Sequence, residues 1–126
     1  MKKIIGVLTL LALFSVFVVA CGGGTSGGGS NTVSLAATSF SPASITIKKG
    51  DSITLANQTS TVHIIANGSW NGNTPNPRQE SGAPVVNNMQ FSSANQTQTI
   101  GPFNTTGTFH YYCSVHPGMN LTVTVQ

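Results

Sequence analysis

Beyond Ser30 the chain alternates apolar and polar residues instead of repeating apolar ones at helical spacing. Val33 and Leu35 form one such pair, Ile45 and Ile47 a second, Ile53 and Leu55 a third. Between the last two, Lys49-Gly50-Asp51 reads as a tight turn joining two strands. Near the C-terminus, Phe109, Tyr111 and Cys113 fall on one strand face, and Leu121, Val123 and Val125 on another. Ser and Thr fill the opposite faces. Short strands separated by turn signals predict an antiparallel β-sandwich. The middle, Asn67 to Gln96, is rich in turn signals (Asn67-Gly68, Gly72-Asn73, Pro75-Asn76-Pro77) and shows little periodicity before Val85. It predicts a partly ordered excursion, with Trp70 tucked onto the sandwich and a short strand near Met89 to Phe91. An exposed, partner-facing Trp70 is the other reading of that residue.

Ahead of the sandwich lies a different pattern. Met1-Lys2-Lys3, an apolar run from Ile4 to Ala20 and then Cys21 read as an export signal over residues 1–20. Val18-Val19-Ala20-Cys21 resembles a bacterial lipobox, with Cys21 as the lipid-modified first residue of the mature chain. An uncleaved N-terminal anchor helix is the competing reading, although the run is somewhat short for a span. Either way the protein is expected outside the cytoplasm and held to a bacterial membrane. Residues 21–31, mostly Gly and Ser, have no side chains to pack and read as a flexible tether. Residues 32–126 then suffice for one small domain with a single core, and a monomer is expected.

Charge narrows the function. The formal net charge is +3, but Lys2 and Lys3 belong to the signal. The remainder holds Lys48, Lys49 and Arg78 against Asp51 and Glu80, which is close to neutral. Nucleic-acid binding, which needs a basic face, is disfavoured. At 6% charged residues, solubility must rest on Asn, Gln, Ser and Thr.

The candidate chemistry is concentrated in Cys113-Ser114-Val115-His116-Pro117-Gly118-Met119, where Cys, His and Met recur at three-residue intervals. A lone Cys-x-x-His is a weak signal. Adding Met119 and an upstream strand histidine, His63, yields one thiolate, two imidazoles and one thioether. That set suits a single copper ion in electron transfer, whereas zinc seldom recruits a thioether. Strand parity turns His110 away from Phe109, Tyr111 and Cys113, so it is expected to be solvated and not a ligand. His63 sits in the apolar run Thr61 to Ile65; taken alone it would read as a core histidine bonded to backbone. Met119 likewise has a plain reading as gap-filling core. A Cys21–Cys113 disulfide, the default for an exported Cys pair, would require the tether to fold back over the ligand loop.

Two stretches carry a family resemblance. Gly107 to Met119, followed by Leu121 to Val125, closely resembles the C-terminal signature of the plastocyanin-like cupredoxins. Phe40 to Leu55, together with Val62-His63, is similar to the same family's N-terminal half. The Cys-to-Met spacing is the short, amicyanin-like form. The resemblance implies a Greek-key β-sandwich and a type 1 blue copper site formed by His63, Cys113, His116 and Met119. It further implies an apolar docking patch at His116, Pro117 and Gly118, with Tyr112 as a second, more remote contact. Plastocyanins carry Asn where Ile64 stands, and that Asn ties the two ligand segments together. The implied function is a one-electron carrier, not an enzyme, exchanging electrons with a redox partner protein of cytochrome or copper-oxidase type. A copper-handling protein that captures or delivers the metal is the alternative. A metal-free adhesion or carbohydrate-binding sandwich is a third reading. A dinuclear copper centre is disfavoured because a second bridging Cys is missing.

Overall fold

Ten strands realise the alternation in the computed structural model, which describes residues 30–126. The first sheet is built from β1 (Thr32–Leu35), β2 (Phe40–Ser41), β4 (Ile53–Asn57) and β8 (Thr97–Ile100), in the order β2-β1-β4-β8. The second holds β3 (Ser44–Ile47), β10 (Asn120–Val125), β9 (Gly107–Cys113), β5 (His63–Asn71) and β6 (Thr74–Pro77), in that spatial order. A short strand, β7 (Met89–Phe91), pairs with the first residues of β5. Among the described residues none is helical. The architecture is the all-β sandwich predicted from the alternation.

Two features depart from a purely antiparallel reading. β1 runs parallel to β4, and β3 runs parallel to β10. The Lys49-Gly50-Asp51 turn therefore joins strands of different sheets and closes no hairpin. The Asp51 amide donates to the Lys48 carbonyl, while Gly50 donates to Phe103 and Lys49 to Gln126. A turn signal fixes a change of direction but not whether the next strand returns to the same sheet.

The core fills the space between the sheets. Val33, Leu35, Ile53, Leu55 and Ile100 come from one side, and Ile65, Phe109, Tyr111, Leu121 and Val123 from the other; all are essentially inaccessible to water. Phe103, from the loop after β8, lies edge-on to Tyr111 at 6.2 Å and tilted against Phe109 at 6.0 Å. Burying each such side chain stabilises the fold by roughly 1.5–3 kcal/mol relative to exposure.

The middle segment is more ordered than its sequence predicts. β5 continues through Asn71, and Gly72, at φ +60°, opens a two-residue turn into β6. β6 reads Thr-Pro-Asn-Pro, and a strand with two prolines survives only at a sheet edge, where this one lies. The stretch from 78 to 88 is held by Asn67, whose side-chain oxygen accepts from the Val86 amide (2.6 Å) and whose amide donates to Pro84 (3.0 Å). The Tyr111 hydroxyl also donates to Pro84 (3.1 Å). The short strand at Met89–Phe91 is present as expected.

The sandwich has two distinct poles. At one end, Val125 pairs with Gly107 and Ile47, the Lys49 amide reaches Gln126, and Asn31 donates to Asp51. At the other, β10 begins directly after Met119, and β9 ends at Cys113. The described chain thus starts at the pole opposite the Cys113–Met119 loop. Cys21 and the predicted signal and tether lie outside the described residues, apart from Ser30 and Asn31.

Candidate metal centre

His63 opens β5 and Cys113 closes β9, and the register of these adjacent antiparallel strands pairs Ile65 with Cys113. Neighbouring strand ends thus bring an imidazole and a thiol together. Both residues are fully buried. The loop after Cys113 returns the chain toward them through two backbone turns: the His116 amide donates to the Cys113 carbonyl (3.4 Å), and the Met119 amide to the His116 carbonyl (3.1 Å). Gly118 sits between, at φ +79°, a conformation that glycine adopts without strain. The Cys113 amide then donates to the Met119 carbonyl (3.1 Å), closing the loop on itself.

The outcome is a compact donor set. Cys113 Sγ lies 3.7 Å from His63 Nδ1 and 3.3 Å from His116 Nδ1. One ligand atom from each of the three falls within 4.8 Å of the others, and the two rings stand 4.9 Å apart. With bonds of about 2.0 Å to imidazole and about 2.3 Å to thiolate, as in zinc sites, a trigonal ion separates sulfur from nitrogen by about 3.7 Å. The spacing fits a three-coordinate first-row metal. Met119, the predicted fourth donor, is buried immediately before β10. His116 is partly exposed and brings the set to the surface. The pKa of His63 is lowered, first by burial and then by the proximity of His116, with a backbone contact at Ala36 opposing. A ring kept neutral in this way retains a lone pair for metal. Its Nε2 has no hydrogen-bond partner of standard geometry.

The surroundings hold the donors in register. The Ser114 amide (2.8 Å) and hydroxyl (3.3 Å) both donate to the Ile64 carbonyl. The two ligand segments, which plastocyanins tie together through an Asn where Ile64 stands, are here connected through that residue's backbone. Trp70, through Nε1, donates to the Cys113 carbonyl at 2.8 Å. Its backbone is clamped by Asn120, the residue after Met119: the Trp70 amide donates to Asn120 Oδ1 (2.6 Å), and Asn120 Nδ2 donates to the Trp70 carbonyl (3.2 Å).

Two other sequence readings change. Tyr112 has outward parity but is only 4% exposed, because Trp70 packs against it in a T-shaped pair at 5.9 Å. A large aromatic from the neighbouring strand covers it, which parity along a single strand cannot reveal. His110 stands outside the donor group, yet it is not simply solvated: Nδ1 lies 2.7 Å from Glu80 Oε1. Burial raises the Glu80 carboxyl, but hydrogen bonds from the His110 side chain and backbone outweigh it, and the pKa ends below its usual value. Pro117 and Gly118, which follow His116, are exposed, as are Val115 before it and Val62, the neighbour of His63. Asn67, Asn120 and Glu80 escaped the sequence reading, since an isolated Asn or Glu in a turn-rich stretch carries no periodic signal.

A β-sandwich that gathers two imidazoles, a thiolate and a buried thioether at one pole defines a cupredoxin, with copper as the metal its donors suit. The chain belongs to the plastocyanin/azurin family of copper-binding proteins, whose family model matches residues 28–126. Among solved structures it is similar to amicyanin from Paracoccus versutus (22% identity over 75% of this chain and 79% of that one, TM-score 0.57). It is also similar to a purple cupredoxin from Nitrosopumilus maritimus (23% identity over 75% of this chain and 98% of that one, TM-score 0.57). A search of curated protein sequences gave no match.

Proposed function

We propose that the protein is a one-electron carrier that works outside the cytoplasm, tethered to a membrane through Cys21. The observation that carries the reading is the convergence of His63, Cys113 and His116 in a spacing that already fits a metal. Bound copper supplies a one-electron Cu(I)/Cu(II) couple. The chain's contribution is to fix the donors on two paired strands and a self-closed loop, so that little needs to move when the charge changes. It also buries His63 and Cys113 away from water and leaves the His116 edge accessible. The exposed Val115, Pro117 and Gly118 on either side of His116 support a docking patch that is apolar in character. Its partner is a redox protein of cytochrome or copper-oxidase type.

The membrane reading rests on the apolar N-terminal run and Cys21, and it agrees with the polarity of the sandwich. A flexible tether leaving near Asn31 departs from the pole opposite the donor set, so the domain can swing above the bilayer without the tether covering the His116 edge. Catalysis by the chain itself is not part of the proposal. The charged residues of the domain lie outside the donor set, and the His110–Glu80 pair is engaged in holding the middle segment.

Stopped-flow reduction and reoxidation of the copper-loaded protein tests the carrier reading. Rapid exchange with retained copper is the expected result. Sluggish exchange, with copper surrendered readily to a chelator, would replace it with the copper-handling alternative.

A further inference from the structure

Trp70 is the sole tryptophan of the chain, and it meets the copper site at an unusual point. Its indole N–H bonds the carbonyl of Cys113, the residue that supplies the thiolate. Its ring also stands edge-on to Tyr112, the covalent neighbour of Cys113. Two routes from the sulfur therefore converge on one indole: through the Cys113 carbonyl and its hydrogen bond, and through the peptide bond to the Tyr112 ring. The indole is held still by the reciprocal Asn120 bonds, and Asn120 follows Met119 directly. Tyr112 is sealed in, whereas Trp70 is partly exposed on the flank of the sandwich.

Electronic coupling decays less steeply along bonds and hydrogen bonds than across gaps. We propose that Trp70 is a second electron port, carrying electrons between Cys113 and a one-electron redox centre that approaches the flank, apart from the His116 edge. One electron leaves the reduced site and reduces the acceptor by one; Trp70 is not itself oxidised and no proton moves. The idea rests on the carrier reading above. It adds that donor and acceptor can be engaged at two places on the same molecule.

The test uses the full chain, copper-loaded, with a ruthenium polypyridyl label on a histidine introduced at exposed Asn71, beside Trp70. After photo-oxidation of the label, the rate at which it recovers an electron from the reduced site is followed. Trp70→Phe removes the hydrogen bond but keeps an aromatic cover. It is expected to slow that recovery on the order of tenfold, a loss attributed to the missing bonded route. Because Trp70 also braces the Cys113 carbonyl, the visible spectrum and potential of both proteins are recorded, and the two recovery rates are compared at equal driving force. Equal recovery rates in the two proteins overturn the proposal.

Should Trp70→Phe fail to fold or to hold copper, the unaltered protein still decides. With nitrogen-15 tryptophan, the oxidised protein should show a contact hyperfine coupling at the indole nitrogen, and a purely dipolar coupling overturns the port. In the metal-free chain the indole N–H should exchange slowly with solvent, and rapid exchange would remove the hydrogen bond on which the route depends. A chain that takes up no copper brings down the carrier reading itself. Full copper loading with equal rates brings down only the port.

Discussion

Cys113 turns its sulfur toward two imidazoles and its carbonyl toward two donors, the His116 amide and the Trp70 indole. The thiolate is the electron-rich ligand, so Cys113→Ser should abolish the intense visible absorption of the copper(II) form; an unchanged spectrum would remove Cys113 from the site. Metal affinity should fall as pH drops, because the ligand must lose its proton. Met119→Leu removes the thioether that would serve as the fourth, weak donor while keeping the volume. It should leave copper bound but raise the reduction potential, and voltammetry showing no shift would reduce Met119 to packing. Away from the metal, Glu80 has a folded pKa below its ordinary value. Its contribution to stability is therefore complete above the usual carboxylate range and is lost as pH falls through the folded value. Thermal midpoints of the parent and Glu80→Gln should differ at about pH 6 and converge as the pH falls through the folded value. A constant difference would show that the His110–Glu80 pair does not hold the middle segment. Both side chains are partly exposed (41% and 23%), so the difference at pH 6 should be small.

At the scale of elements, the strands that carry alternating apolar residues were legible, and those that do not were missed. Ile53/Leu55, Phe109/Tyr111/Cys113 and Leu121/Val123/Val125 all bury the predicted face. β6 has no apolar residue to alternate, and its two prolines argue against any central strand. The Gly72-Asn73 dipeptide was the available signal for its hairpin, but one flank lacked the pattern that gives such a turn its meaning. Parallel pairing was also illegible, because alternation sets which face is buried and says nothing about a strand's neighbour. Asn67 supplies two of the side-chain bonds that order residues 78–88, alongside Tyr111 and the His110–Glu80 pair. Asn67→Ala leaves the Val86 amide without its acceptor and the Pro84 carbonyl with only Tyr111. Urea unfolding should show a loss of about 1–3 kcal/mol. The copper spectrum should survive, since Asn67 touches none of the donors. Unaltered stability would mean that the segment is held by other contacts.

Over the whole molecule, the ligand set was readable because three of its four members lie within one short loop, where spacing is visible. His63 was legible too, on the strength of the loop and the family resemblance, and the pairing of β5 with β9 is what brings it across fifty positions of sequence to Cys113. Trp70 over Tyr112 was hidden, as contacts between strands leave no trace in either strand's own pattern. The sandwich separates its two poles, with Asn31 and Asp51 at one end and the donor set at the other.

The central claim is that His63, Cys113, His116 and Met119 hold one copper ion through a thiolate. Titration of the purified protein with copper(II), followed by visible absorption and electron paramagnetic resonance, addresses it most directly. Saturation at one copper per chain, with an intense thiolate-to-copper band and the narrow copper hyperfine splitting of a thiolate-bound site, is the predicted result. Colourless uptake with the wide splitting of ordinary nitrogen and oxygen ligation, or no uptake at all, would contradict it.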